Sequence, residues 1–118
     1  MRLEFVYLPV NDLEAALALY RDRLGFEEAW RAGETVGLVL PDTNVRLLLD
    51  LVAGDRSLTA GPFFLVESVD AFYAANKDLL RFVEEPRDIS PGRFAVFEDT
   101  SGNRIRIMDR TASEEPPG

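Results

Sequence analysis

The sequence contains no histidine and no cysteine. Without histidine it lacks the usual general base at neutral pH, the commonest nitrogen ligand for metals, and any Ser-His or Cys-His pair. Without cysteine it has no disulfide, thiolate zinc site or cysteine nucleophile. Catalysis would therefore need a carboxylate or tyrosine base with a shifted pKa, for example Glu67 or Tyr7. No pattern singles out such a pair, so we assign no catalytic residue.

Basic residues are also scarce, because 13 Lys and Arg accompany 21 Asp and Glu, for a net charge of −8. Nucleic-acid binding depends on basic side chains, so we expect no nucleic-acid partner. The acidity would attract a basic ligand, although it also serves solubility. No signal segment opens the chain and no apolar run approaches a membrane span. We therefore expect a soluble, cytoplasmic protein without a membrane partner.

The opening residues predict a strand, a capped helix and a helix stop in succession. Phe5 to Val10 is a β-rich run, and Asn11 with Glu14 forms a predicted capping box. One helical face then carries the apolar residues Leu13, Ala16, Leu17, Tyr20 and Leu24. Gly25 supplies the helix stop.

The rest of the chain predicts two similar halves. Strands over 26–30, 35–40 and 45–51 complete a first β-α-β-β-β unit. A strand over 63–66, a helix capped by Ser68, a short strand over 82–84, and strands over 93–98 and 104–108 form a second. Residues 86–92 are predicted to be a loop. We expect an α+β fold, with a single domain over 1–110, modules over 1–52 and 61–110, and a disordered tail over 111–118.

Two motifs resemble the vicinal oxygen chelate superfamily of glyoxalase I, extradiol dioxygenases, and fosfomycin- and bleomycin-resistance proteins. The first is Val10-Asn-Asp-Leu13 followed by Tyr20-Arg-Asp-Arg-Leu-Gly-Phe26. The second is Phe97-Glu-Asp-Thr-Ser-Gly-Asn-Arg-Ile-Arg-Ile107, where Thr100 replaces the proline of the family pattern. The resemblance implies paired modules whose strands curl into a cleft, with the helices outside.

The resemblance also implies where a metal would be held in metal-using relatives. Their four ligand positions fall here on Phe5, on Arg46 or Leu47, on Gly61 or Pro62, and on Arg106. None of these side chains is a ligand for a divalent cation. We therefore expect no metal and no cofactor, and the chain is most similar to the metal-free bleomycin-resistance type, whose homodimers sequester a basic, aromatic antibiotic.

The alternation of side chains along strands places several residues toward the implied cleft. The aromatic candidates for ligand stacking, each of which could instead be core, are Phe5, Tyr7, Trp30 and Phe63. Arg46 and Arg106 point inward by parity and would either pair with a carboxylate or meet an anionic ligand group. Asp50 and Glu67 could contact a basic ligand or serve only solubility.

These observations predict a homodimeric, metal-independent binder of a small, drug-like aromatic molecule, with a basic ligand favoured by the charge. The alternative from the same superfamily is a glyoxalase- or dioxygenase-like enzyme, a lyase or isomerase. A third possibility is a fold kept for protein–protein interaction. The sequence does not specify the ligand.

Overall fold

The computed structural model describes residues 1–52, 54–55 and 58–112. The described residues form strands and helices in the order β-α-β-β-β, repeated once, so the α+β prediction is confirmed. The elements are β1 (Arg2–Val10), α1 (Leu13–Leu17), a π-helical segment (Ala18–Arg23), β2 (Glu27–Ala32), β3 (Thr35–Val39), β4 (Arg46–Leu51), β5 (Gly61–Leu65), α2 (Val69–Asn76), β6 (Arg81–Ile89), β7 (Gly92–Glu98) and β8 (Arg104–Met108).

The chain divides into two compact units. The N-terminal unit is Glu4–Pro62, and the C-terminal unit runs from Phe63 onward and includes Met1–Leu3. The predicted tail falls largely on residues 113–118, which lie outside the described residues, as do residues 53 and 56–57 between the two predicted modules. Thr111 and Ala112, predicted to belong to the tail, form a turn, and the Ala112 amide donates to the carbonyl of Pro91 at 3.1 Å.

In the N-terminal unit β1 and β4 are parallel, and β2, β3 and β4 pair antiparallel. One face of these strands packs against α1. The buried residues of this core are Leu13 and Leu17 from α1 and Val36, Leu38, Leu47 and Leu49 from the strands. Because side chains alternate along a strand, the residues between them point to the other side, here called the open face. The open face carries Phe5, Tyr7, Trp30, Thr35, Gly37, Val39, Arg46, Leu48 and Asp50.

The first helix begins one residue later than predicted. Asp12, not Asn11, is the N-cap, and its carboxylate accepts from the Ala15 amide at 2.9 Å. The helix then widens into a π-helical segment, where the Leu24 amide donates to the carbonyl of Leu19, five residues back. Each wide turn adds one residue, which rotates the following side chains around the axis. Leu24, predicted to share the apolar face of the helix, follows the π-helical segment and is 53% exposed.

In the C-terminal unit β5 and β8 are parallel, while β6, β7 and β8 pair antiparallel. Ser68 caps α2 as predicted, because its hydroxyl accepts from the Ala71 amide at 3.1 Å. The core against α2 consists of Val66, Val69, Ala95 and Ile107, with Phe64, Phe72, Phe82 and Phe97 packed around them. No helix among the described residues is long and apolar enough to cross a membrane.

The predicted loop over 86–92 is largely strand. β6 extends from Arg81 to Ile89 and passes through Pro86, with register shifts between Phe82 and Glu84 and between Glu84 and Arg87. Proline has no amide to donate, so it is tolerated in strands at bulges and edges. The bulged pairing therefore accommodates a residue that the sequence reading took as a strand break.

A buried carboxylate holds the C-terminal unit together. Asp109 is 1% exposed and accepts hydrogen bonds from the amides of Val69 at 2.7 Å, Arg93 at 2.8 Å and Thr111 at 3.2 Å. The Thr111 hydroxyl adds a bond at 2.8 Å. Gly92 packs so closely on Asp109 that a side chain at position 92 would overlap the carboxylate. Asp109 thus connects the start of α2, the start of β7 and the chain after β8.

These hydrogen bonds make the free energy of unfolding depend on pH. Burial alone would raise the pKa of Asp109, but the amides of Val69 and Arg93 with both groups of Thr111 outweigh it and hold that pKa below its ordinary value. The stabilisation is therefore present above the unfolded-state pKa of about 3.9 and is lost as pH falls through the lower folded-state pKa. Urea unfolding at pH 5 and pH 3 should show a larger loss for the wild type than for Asp109→Asn; equal losses would contradict this.

Candidate functional site

The open face of the N-terminal unit is ordered in three rows across the strands. The strand register places Phe5, Arg46 and Val39 in one row. The next row contains Tyr7, Leu48, Gly37 and Trp30, and the last contains Pro9, Asp50, Thr35 and Ala32. The site residues predicted in this unit therefore lie on one face, where they are distributed over all three rows.

Asp50 is held in place by two hydroxyl groups. The Tyr7 hydroxyl donates to Oδ2 of Asp50 at 2.6 Å, and the Thr35 hydroxyl donates to Oδ1 at 2.9 Å. The first distance is typical of a hydroxyl bonded to an ionised carboxylate. Both donors are neutral, so they orient the carboxylate without cancelling its charge. The sequence reading missed Thr35, because its contact with Asp50 comes from strand pairing.

Trp30 lies flat against β3 because position 37 is glycine. A Cβ atom built on Gly37 would lie 2.5 Å from Cε2 and Nε1 of the indole. The Phe5 ring meets the indole edge-to-face, with ring centroids 6.4 Å apart. Both aromatic side chains remain half-buried, whereas Tyr7 is 6% exposed. A glycine inside an apolar strand often marks such a close approach, and Gly37 was the available signal for it.

Arg46 does not behave as predicted. Its parity on β4 is that of the open face, but the side chain is exposed rather than buried. Leu47, the other residue considered for this position, belongs to the core against α1. Arg46 is paired in register with Phe5 and Val39, and its exposed charge is in contact with water.

The C-terminal unit has its own aromatic and basic face. Phe63 is 8% exposed and packs on Phe94 with ring centroids 5.6 Å apart. Arg106 is 4% exposed, as its parity predicted, and is paired in register with Phe63. The guanidinium carbon of Arg87 lies 4.7 Å from the centroid of the Phe94 ring. The sequence reading missed Arg87 and Phe94, because it placed residue 87 in a loop.

Glu67 is separate from the residues above. β5 ends at Leu65, so Glu67 is an exposed loop residue and not a strand residue with open-side parity. It borders a shallow cavity of about 460 Å³, together with Met1, Arg2, Leu65, Val66, Arg110 and Thr111. A second cavity of about 600 Å³ lies over the ends of β6 and β7 in the same unit.

The positions implied as metal ligands do not suit a cation. In the N-terminal unit Phe5 is paired in register with Arg46, and in the C-terminal unit Phe63 is paired with Arg106. A phenyl ring and a guanidinium group offer no lone pair to a divalent ion. Among the described residues there is also no cluster of three or more acidic, histidine or cysteine side chains suited to a metal.

Comparison with protein families settles the evolutionary relationship. A model of the Glyoxalase/Bleomycin resistance protein/Dioxygenase superfamily matches residues 2–107. The chain belongs to this superfamily. The match covers both β-α-β-β-β units, which confirms the resemblance seen in the two sequence motifs. No curated protein matches the sequence of this superfamily member.

Solved structures share the fold at low identity. Methylmalonyl-CoA epimerase from Streptomyces coelicolor, in complex with 2-nitronate-propionyl-CoA, is 22% identical with a TM-score of 0.74, covering 98% of this chain and 99% of that chain. The Mycobacterium tuberculosis epimerase is 20% identical with a TM-score of 0.72, covering 93% and 88%. A Legionella pneumophila protein described as an NAD-dependent benzaldehyde dehydrogenase is 20% identical with a TM-score of 0.74, covering 91% and 98%. Similarity at this level establishes the fold alone.

Proposed function

We propose that this superfamily member binds a small aromatic molecule, without a metal, on the open face of the N-terminal unit. The observation that carries the proposal is the combination of half-buried Trp30 and Phe5 with the oriented carboxylate of Asp50. Aromatic side chains supply contact area, and a few fixed polar groups supply orientation. The carboxylate and the net charge of −8 favour a basic ligand.

The register of the two units supports binding without a metal. The resemblance implies ion positions at Phe5, at Arg46 or Leu47, at Gly61 or Pro62, and at Arg106, and the register pairs Phe5 with Arg46 and Phe63 with Arg106. A guanidinium at such a position would repel a divalent cation. Dialysis against EDTA should therefore change neither melting temperature nor ligand affinity. A fall in either would overturn this part of the proposal.

Replacing Trp30 should weaken ligand binding more than it lowers the stability of the fold. Trp30→Ala should weaken the binding of aromatic amines of one to three rings by about tenfold, which corresponds to the area and edge contacts of one large ring. The melting temperature should fall no further than in Tyr73→Ala, because both rings are half-buried and each loses the packing of one ring. Titration calorimetry and thermal melts measure the two effects. Tyr73→Ala, which removes an aromatic ring from α2, is the matched control.

Two results would contradict this proposal. Equal losses of affinity and stability in Trp30→Ala would show that the indole is part of the core. A complete lack of binding across the amine series would remove the proposed function.

An enzyme of the same superfamily is the second candidate, and one contact favours it. The Tyr7 hydroxyl and Asp50 are 2.6 Å apart, a distance at which a phenol and a carboxylate can exchange a proton. The epimerases that share the fold are enzymes by name. Tyr7→Phe distinguishes the candidates: an enzyme that uses this hydroxyl would lose turnover, whereas a binder would keep most of its affinity.

We also propose a homodimer, as the resemblance to bleomycin-resistance proteins implies. Native mass spectrometry of protein purified without added metal or chelator weighs subunits, ions and retained small molecules together. A dimer at the polypeptide mass, or with an organic adduct, supports a metal-free binder. A stoichiometric transition-metal mass would contradict it.

A further inference from the structure

Strand β4 carries opposite charges at the two ends of the open face. Arg46 and Asp50 have the same parity and are four residues apart, with Leu48 between them. A strand rises about 3.3 Å per residue, so their Cα atoms are about 13 Å apart. This distance is too long for an ion pair between them, and each charge faces the same side of the strands separately.

Neither charge is neutralised within the part of the chain that the structure describes. Asp50 is half-buried and accepts only from the neutral hydroxyls of Tyr7 and Thr35. Arg46 is exposed, and none of the ion pairs among the described residues includes it. A half-buried carboxylate without a cation is unfavourable. Each of its oxygens has two lone pairs and has used one, so the group can still accept from a ligand.

The row between the two charges is apolar and aromatic. Leu48 is 8% exposed and lies in register between Tyr7 and Gly37, over which the Trp30 indole lies. Because Tyr7 and Leu48 are largely covered, a ligand lying along β4 would meet the carboxylate, then the half-buried indole of Trp30, then the guanidinium. The order of these groups is set by strand register and not by flexible loops.

We propose that the ligand is an elongated amphoteric molecule with an amine at the Asp50 end, aromatic rings along the middle row, and a carboxylate or phosphate at the Arg46 end. This inference rests on the proposed binding function and specifies its ligand class. The two charged ends determine the orientation of the ligand, while the rings of Trp30 and Phe5 supply most of the contact area.

Three probes with the same rings test the inference. The first is 4′-(aminomethyl)biphenyl-4-carboxylate, which has an amine and a carboxylate at opposite ends. The others are 4-phenylbenzylamine, with the amine only, and biphenyl-4-carboxylate, with the carboxylate only. Binding is followed through the fluorescence of the sole tryptophan, Trp30, and by calorimetry. We expect the amphoteric probe to bind about fivefold tighter than the amine. Its advantage over the carboxylate should be larger still.

Two variants assign the effect to its residues. Arg46→Gln should remove the advantage of the amphoteric probe over the amine, and Asp50→Asn should remove its advantage over the carboxylate. Asp50→Asn keeps side-chain size, and the hydroxyls of Tyr7 and Thr35 can rotate to bond an amide. Arg46→Gln shortens an exposed side chain and leaves a neutral polar group. Arg81→Gln and Asp88→Asn, exposed charges of the C-terminal unit, are the matched controls and should leave all three affinities unchanged.

The outcomes separate this inference from the function on which it rests. If the amine and the amphoteric probe bind equally, the amphoteric ligand class is wrong while aromatic binding stands. If none of the probes binds and a wider amine series also fails, the proposed function is wrong. If Arg46→Gln and Asp50→Asn dissociate a dimer in native mass spectrometry but leave the three affinities unchanged, the charges serve contact with a second copy, and the inference is overturned.

Discussion

Asp109→Ala should lower the free energy of unfolding by about 3 to 4 kcal/mol, the largest loss that we expect from one truncation in the described chain. The change leaves the amides of Val69, Arg93 and Thr111 without their acceptor. Buried donors that lose a charged acceptor cost far more than exposed ones, because water cannot replace it. Urea unfolding at neutral pH measures the loss.

Asp99→Ala is the control for this prediction. Asp99 also accepts from several donors, namely the amides of Ser101 and Asn103 and the side chain of Asn103. Its turn is exposed, so water can take over those bonds, and the loss of stability should be much smaller. Equal losses in the two variants would mean that burial of Asp109 contributes nothing. The loss of stability in Asp109→Asn should lie between the losses in Asp109→Ala and Asp99→Ala, because the side-chain NH2 group would face a backbone N–H group.

Gly37→Val should cost about 2 to 3 kcal/mol, the second largest effect. Even a single Cβ atom would lie 2.5 Å from the indole of Trp30, so the added groups must displace the ring. Valine itself suits a strand, and the penalty therefore comes from the overlap alone. Displacing the ring should also shift the emission of Trp30 to longer wavelength, since the indole becomes more hydrated. Urea unfolding and fluorescence spectra measure both effects.

A double-mutant cycle tests the cause. In the Trp30→Ala background the overlap no longer exists, so Gly37→Val should cost little or even stabilise β3. An unchanged cost in that background would place the problem elsewhere, for example at Leu48, the register neighbour of Gly37. The cycle is informative because the wild-type contact joins two residues of adjacent strands, and among the described residues the ring contact given for Trp30 is with Phe5.

The sequence predicted the elements better than their details. Side-chain periodicity located the strands and both helices, and Gly25 takes the positive φ of a helix stop, +83°. It did not locate the π-helical segment before the exposed Leu24, because the extra residue per turn leaves no compositional mark. Pro86 was misread for a related reason: proline usually interrupts a strand, and only the bulged register of β6 allows it.

The candidate site was predictable only in part. Strand parity correctly grouped Phe5, Tyr7 and Asp50 on one face. It could not reveal that Thr35 bonds Asp50, or that Gly37 seats Trp30, because those contacts depend on the register between strands. Parity also carries no information past the end of a strand, and β5 stops at Leu65, two residues before Glu67. The exposure of Arg46 likewise depends on its neighbours on adjacent strands.

The position of Asp109 constrains the order in which a growing chain can fold. The N-terminal unit, Glu4–Pro62, has its own core, and the pairings of β4 with β1, of β4 with β3 and of β3 with β2 lie within β1 to β4. In the C-terminal unit the amides of Val69 and Arg93 donate to the carboxylate of Asp109, which is translated 40 and 16 residues after them, respectively. On the ribosome the first unit can therefore form while the second stays open, until Asp109 emerges from the exit tunnel.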